Sequence, residues 1–403
     1  MTDPDPASVP SSPTRPAAEA EGPERLARLA GAAGIRRVHL IAWRDLDDPE
    51  SGGSEEHASQ LARHWAAAGL DVTLHTGRVP GGPAEVDRDG VRVVRGGGHL
   101  SVFPRTVALE WSGRGGPRDG LVDIFHGIAF FSPLWSRGPR VGFVHHVHLG
   151  TWRLRMPPGM AQIGYLQERV LQPLVYRRAT LVTPSEATRD EVVEKLGMRH
   201  ADIRVAPNGV APRFRPGGTR SPVPLVLAVG RLVPHKGFDA ALRAIARACR
   251  DRPEVRVAVV GDGPARPELE RLAADLGLAE RTTFHGRVDD DALVRAYQKA
   301  WVVANASLQE GWGLTLTEAG ACATPAVATR IPGHTEAVAD GVGGLLVDGE
   351  QELADALGRV LDDDALRARL GEGARRHAER FTWAASAETV LAALVDDARK
   401  RRR

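Results

Sequence analysis

The sequence predicts an α/β protein made of two doubly wound domains that face each other across a cleft. Three observations carry that expectation. Short β-branched runs alternate with amphipathic helical segments, the pattern of parallel strands with helices on both sheet faces. The alternation pauses over residues 213–224, which are rich in Gly, Pro, Ser and Arg and read as a linker, and then restarts. A chain of 403 residues is also too long for one ordinary core, and its length favours two units of roughly 150 to 200 residues.

Taken in order, residues 38–42 read as the first strand, followed by a loop and a helix over 55–68. Strands follow at 72–75, 91–94, 121–125 and 141–144, the last two ending in histidine-bearing loops. The strand 181–183 runs into Pro184-Ser185, and the Ser185 hydroxyl suits the cap of a helix through Leu196. Residues 203–206 and the turn Pro207-Asn208-Gly209 close the first half. In the second half, strands at 225–229, 255–260, 282–285, 301–306 and 326–329 alternate with helices that include 238–249 and 267–276. Ligands bind such folds in loops at the carboxyl ends of the strands. The domain division predicted is a disordered tail over 1–30, a first doubly wound domain over 31–215, a second over 216–380 and a last helix over 381–403. The beginning of the tail is rich in Pro, Ala, Ser and acidic residues, with too few large apolar side chains to offset the entropy of ordering.

Composition narrows the function. Hydrophobic residues make up 42% and charged residues 26%, as in a water-soluble globular protein. A net charge of +2 gives nucleic acid no support as a partner. The two cysteines, Cys249 and Cys322, lack metal-ligand spacing and suit a reducing compartment. No apolar run reaches the length of about 18 residues that a spanning helix needs, and no leader is visible, so the expected location is cytoplasmic. The basic run from Arg399 to Arg403 reads as a frayed, solvated helix end, with a weak contact to anionic lipid as the alternative.

Four loops of the second half carry the chemistry. In the loop after Val229, Gly230 allows a tight exit from a strand, and Arg231 and Lys236 follow before a helix, a fork and a point charge suited to a diphosphate. Gly261-Asp262-Gly263 after the next strand would let a ligand approach the backbone, although Gly-Asp-Gly is also a common turn. The sharpest signal is Glu310-Gly311-Trp312-Gly313-Leu314 through Glu318, where two glycines free backbone N–H groups beside a helix N-terminus. Glu310 suits sugar hydroxyls, and Glu318 a ribose diol, because a carboxylate accepts from two neighbouring hydroxyls at once. Gly286-Arg287-Val288 precedes Asp289, Asp290 and Asp291, which read as a helix cap and first turn and not as a metal site.

Together these motifs resemble the retaining GT-B glycosyltransferases of family four, the glycogen-synthase-like group, from about Ile35 to the last helix. The resemblance implies two Rossmann-like domains, with the second holding a nucleotide sugar. Arg231 and Lys236 would neutralise its diphosphate, the backbone at Val288 would meet the base, Glu310 would bind the sugar and Glu318 the ribose. Trp312 stands where the family commonly has Phe. Gly52-Gly53, ahead of the first-half helix, resembles the family's glycine loop, with Gly53 near the diphosphate. His145 aligns with the strand-end histidine near the donor sugar's primary hydroxyl, with His146 as the alternative one register on. His146 and His148 would line the acceptor side, and the last helix would cross back over the first domain. No cofactor or metal is implied, only the nucleotide-diphosphate sugar as donor.

His145, His146 and His148 also have spacing that metal ligands use, but no carboxylate or cysteine stands nearby in sequence to complete a site. Residues 156–178 interleave Met160, Ile163, Leu166, Val170, Leu174 and Val175 with Arg169, Arg177 and Arg178. That composition suits a core helix with a solvated face, the favoured reading, or a helix meeting the inner face of a membrane. The acceptor stays open among a glycan, a lipid-linked sugar and a small molecule. Competing readings are a sugar-nucleotide epimerase or hydrolase and a non-catalytic sugar-nucleotide-binding protein. A nicotinamide enzyme is disfavoured, because Gly-x-Gly-x-x-Gly is missing after the first strand.

Overall fold

The computed structural model describes residues 22–125 and 127–402. Its first sheet has eight strands in the order β3-β4-β2-β1-β5-β6-β7-β8. These are β1 (Arg37–Ile41), β2 (Asp71–Thr76), β3 (Glu85–Arg88), β4 (Val91–Arg95), β5 (Gly120–Phe125), β6 (Arg140–Val144), β7 (Thr180–Thr183) and β8 (Ile203–Val205). All pairings are parallel except β3 with β4. The second sheet is parallel throughout, in the order β11-β10-β9-β12-β13-β14. It comprises β9 (Leu225–Val229), β10 (Arg256–Val260), β11 (Thr282–Gly286), β12 (Val302–Asn305), β13 (Ala326–Thr329) and β14 (Gly344–Val347).

Central strands are buried on both faces because helices cover both sides. Val38 and Leu40 of β1 lie beside Val72 and Leu74 of β2, and helix Gly53–Ala67 lays Ala58, Leu61, Ala62 and Trp65 over them. The Trp65 indole donates to the Ala387 carbonyl at 3.0 Å. That bond ties the first domain to the last helix, Trp383–Arg402, whose Val390, Leu391, Leu394 and Val395 complete the first core. The crossing is tight at Gly209, where a Cβ would overlap the Trp383 amide.

Several expectations need correction. Residues 22–30 are not a disordered tail: helix Gly22–Gly31 buries Leu26 and Ala30 against the last helix. The rest of the expected tail, 1–21, lies outside the described residues. The basic C-terminal run is not frayed through Arg402, since Arg401 pairs with Asp397 at 2.6 Å and Arg402 donates to the Ala33 carbonyl at 2.6 Å. Val210, Ala211 and Phe214 belong to a second-domain core cluster, so packing of that unit begins ahead of residue 216. The segment 156–178 is not a core helix with a solvated polar face, because its apolar residues Met160, Ile163, Leu166, Val170 and Leu174 are exposed.

Beneath the first sheet, Glu110 of helix Val102–Trp111 meets His39 at 2.7 Å, His75 at 3.0 Å and Arg118 at 3.1 Å. Among the described residues His39, His75 and Glu110 are the one cluster whose atoms could hold a metal ion, all within 4.8 Å. Arg118 already meets the carboxylate's charge. Burial pushes the Glu110 carboxyl up, and hydrogen bonds and charge from His39 and His75 more than reverse this, holding it at about 2. Replacing Glu110 by Ala leaves two buried imidazoles and a guanidinium without their acceptor. We expect a loss of about 3 kcal/mol in a urea melt; a midpoint equal to that of the unaltered protein would contradict this reading of the cluster.

Candidate active site

The loops named from the sequence converge at the carboxyl ends of the second sheet. After β9, residues 230–237 turn through a short 3-10 segment, Pro234–Lys236, into helix Phe238–Ala248. Gly237 has φ of +63° and lies so close to the Ala306 carbonyl that a Cβ would overlap it. That approach brings Lys236 Nζ within 2.5 Å of Glu310 Oε1. The Ser307 hydroxyl donates to the same oxygen at 2.9 Å. Burial pushes the Glu310 carboxyl up, and the charge and hydrogen bond of Lys236, with His334 and Ser307 adding, together more than reverse this and hold the group at about 2. At neutral pH this is an ion pair.

His334 was missed by the sequence reading, which stopped at the preceding strand. It is fully buried, its Nδ1 lies 2.8 Å from the Thr329 carbonyl, and its ring carbon would be 3.1 Å from a Cβ on Gly313. A carbonyl only accepts, so Nδ1 carries the proton and Nε2 is left as an acceptor. Burial lowers its pKa more than the nearby Glu310 raises it, so the ring is neutral. A histidine after Gly333 at the carboxyl edge of a strand was the available signal.

Gly313 adopts φ of +115° and caps helix Leu314–Ala321, beginning the helix one residue beyond a conformation that disfavours other side chains. The Trp312 ring is buried edge-on to Phe381, with centroids 4.8 Å apart, so the ring serves the core. A Cβ on Gly261 or Gly263 would meet the Gly230 or Leu232 carbonyl, so these glycines allow neighbouring loops to touch. Val288 is half-buried against the second-domain core. Glu318 is half-buried and accepts from the Tyr297 hydroxyl at 2.9 Å. Burial raises its pKa to about 8, with Tyr297 opposing and Glu56 and Asp290 adding.

The opposite wall is already in contact. Arg231 donates to the Glu50 carbonyl at 3.2 Å, and Arg287 to the Ser51 hydroxyl at 3.3 Å and to the Pro49 carbonyl. Glu55 accepts from the Gly52 amide at 2.8 Å. A Cβ on Gly53 would come 3.0 Å from Leu314 Cδ1, so the two strongest glycine motifs meet across the cleft. Buried Asp45 anchors the start of this loop through Arg88 and Arg95, both at 3.0 Å. A further clamp comes from Glu336, which accepts from the Glu186 and Ala187 amides at 3.0 and 2.9 Å.

The histidine loop lies beside Gly311. The His145 ring packs with His57 and Phe143, at centroid distances of 4.9 and 4.8 Å, and burial lowers its pKa to about 3. Its carbonyl oxygen, not its ring, abuts Gly311, whereas His146 Cβ would be 3.5 Å from a Cβ there. Of the two alternatives, His146 is therefore the one whose side chain begins against the Glu310 loop. His146 stacks on His148 at 3.9 Å. A carboxylate does reach this loop, contrary to the sequence reading: Glu168 accepts from the His148 amide at 2.6 Å and the Trp152 indole at 2.7 Å. Its distance in sequence hid it.

Residues 213–377 match a family model described as glycosyl transferases group 1, and residues 51–214 match one described as glycosyltransferase family 4. A D-inositol 3-phosphate glycosyltransferase of Acidothermus cellulolyticus is 33% identical, covering 93% of this chain and 94% of its own. One from Stackebrandtia nassauensis is 37% identical over 91% of this chain and 93% of its own. Sucrose-phosphate synthase from Thermosynechococcus elongatus shares the fold, with a TM-score of 0.76 at 22% identity, covering 87% of this chain and 96% of its own. Anabaena HepE, solved in complex with UDP-glucose, shares it with a TM-score of 0.68 at 20% identity, covering 88% of this chain and 98% of its own.

The closeness of Gly311 to the His145 carbonyl leads to a simple expectation. Gly311→Ala should cost about 2 kcal/mol by forcing the two loops apart, read as a lower thermal midpoint; an unchanged midpoint would mean the loops do not touch in solution.

Proposed function

The chain belongs to the family-four glycosyltransferases, and from that premise we propose that it moves a hexosyl group, with retention of configuration, from its nucleotide-sugar donor to a hydroxyl acceptor bound beside the His146–His148 loop. The observation that carries this reading is the Lys236–Glu310 pair, 2.5 Å apart beside the N-terminus of helix Leu314–Ala321. A diphosphate at that helix end meets amide dipoles and the charges of Lys236 and Arg231. Its sugar then lies against Glu310, whose carboxylate accepts from hydroxyls.

Charge grows on the departing phosphate as the bond from C1 to the phosphate oxygen breaks. Fixed cations and amides stabilise that charge without reorganising, the largest single contribution in many enzymes. The acceptor oxygen forms its bond to C1 on the same face and passes its proton to the departing phosphate oxygen. The two-carboxylate route needs acids on both faces of the sugar; here Glu310 is held by Lys236, and the nearby His334 is neutral. Arg231 and Lys236 supply the charge that a divalent cation would otherwise supply. Relatives named for D-inositol 3-phosphate make that compound the first acceptor to assay, and the UDP-glucose complex of a structural neighbour makes uridine donors the first to try.

Lys236→Ala should lower transfer by about 100-fold or more while the protein still melts cooperatively; transfer at the unaltered rate would sink the leaving-group role. Release of nucleotide diphosphate with no new glycoside would favour a hydrolase instead. EDTA should leave transfer unchanged, and a loss restored by a divalent cation would refute charge supply by Arg231 and Lys236.

Glu318 adds a pH dependence. A ribose diol favours its carboxylate, whereas the ligand-free group is protonated below about 8. Nucleotide diphosphate affinity should therefore rise by about tenfold per pH unit from 6 to 7, because proton release is linked to binding, and level off above 8. Calorimetry of Glu318→Gln should show this slope removed; the same slope in that variant would assign the titration elsewhere.

A further inference from the structure

We propose that the outer face of residues 158–176 is a docking surface for an anionic lipid bilayer. Helix Pro158–Leu166, a π-turn over Gln167–Leu171 and helix Gln172–Tyr176 follow one another without a break. This rod is inside out. Its polar side faces the protein: Glu168 holds the His148 amide and the Trp152 indole, and Gln167 and Gln172 both donate to the Gly127 carbonyl at 2.6 Å. Its apolar side faces outward, with Ile163 69%, Leu166 59%, Val170 41% and Leu174 61% exposed. Their spacing of three, four and four residues puts them along one stripe.

An ordinary surface helix turns such a stripe to the core. Here Glu168, Gln167 and Gln172 have taken the inner positions, so the apolar stripe is left at the surface. Contiguous apolar surface of this kind marks an interaction site. Charge selects the occupant. The exposed charged residues from 156 to 178 are Arg169, Arg177 and Arg178, while the segment's one acid, Glu168, is buried. A symmetric pairing of two copies sets a patch against itself, which would bring arginines toward arginines with no acid from this segment to meet them. An anionic bilayer accepts the apolar stripe between its head groups and neutralises the arginines. Among the described residues no helix is long and apolar enough to cross a membrane, so the contact is peripheral. Through Glu168 the inner side of the same rod carries the His148 backbone. The binding itself is independent of the transfer chemistry proposed above.

The test is flotation of the full chain with phosphatidylcholine vesicles, with and without phosphatidylglycerol. The unaltered protein should float only with the anionic vesicles and less as salt is raised. A double variant, Ile163→Asp with Leu174→Asp, should bind at least about tenfold more weakly. Arg169→Ala with Arg177→Ala should lose about fivefold for each arginine removed. Both variants should keep the thermal midpoint, because these side chains are exposed. Failure of the unaltered protein to float, or equal flotation of the double aspartate variant, would overturn the proposal. So would light scattering that finds a dimer which the aspartate variant splits, since the face would then belong to a second copy.

Discussion

The ammonium of Lys236 and the carboxylate of Glu310 lie 2.5 Å apart, both largely withdrawn from water. Each charge is costly there alone, because a close partner offsets much of the cost of desolvating an ion. The rest of this loop cluster follows from keeping these two groups together. Gly237 lets the 230–237 loop come against β12, Ser307 steadies the carboxylate, and His334 stays neutral behind it. Glu310 is thus an anion at physiological pH, and Glu318, whose burial outweighs the Tyr297 hydrogen bond and the charge of Arg213, is raised to about 8. Two acids on one loop-helix unit are driven apart by their surroundings, the pattern that separates roles at functional sites.

Closure between the domains depends on absent side chains. Gly53 against Leu314 and Gly311 against the His145 carbonyl are two points where the two units touch too closely for a Cβ to be accommodated freely, and Gly209 against Trp383 does the same where the last helix returns to the first unit. The last helix adds a covalent return: it leaves the second unit at Phe381 and fills the core of the first. Each domain therefore contains part of the other's support, and the cleft between them is defined by backbone contacts as much as by side chains.

Most strands and the glycine-rich loops at their carboxyl ends were legible because their signals are local. β-branched runs bounded by Gly and Pro marked the sheets, Ser185 and Asp289 capped their helices as read, and Gly-rich loops before helices pointed to an anion site. What stayed hidden depends on distant neighbours. Helix Gly22–Gly31 has few large apolar residues and forms by packing on the chain's far end. Periodicity identified the stripe over 160–174 but not which way it faces, and only Glu168, Gln167 and Gln172 reaching inward decide that. The glycines at 261 and 263 illustrate the same limit, since a glycine announces a close approach without naming what approaches. Glu110 with His39 and His75 is scattered over three elements and left no motif.

The central claim is that the Lys236–Glu310 pair marks where a diphosphate and its sugar meet the protein. The most direct measurement is a crystal structure of the protein with an intact nucleotide-diphosphate sugar. The account predicts phosphate oxygens at Lys236, Arg231 and the amides following Gly313, with sugar hydroxyls on Glu310. A donor bound elsewhere, with Lys236 and Glu310 still paired only with each other, would contradict it.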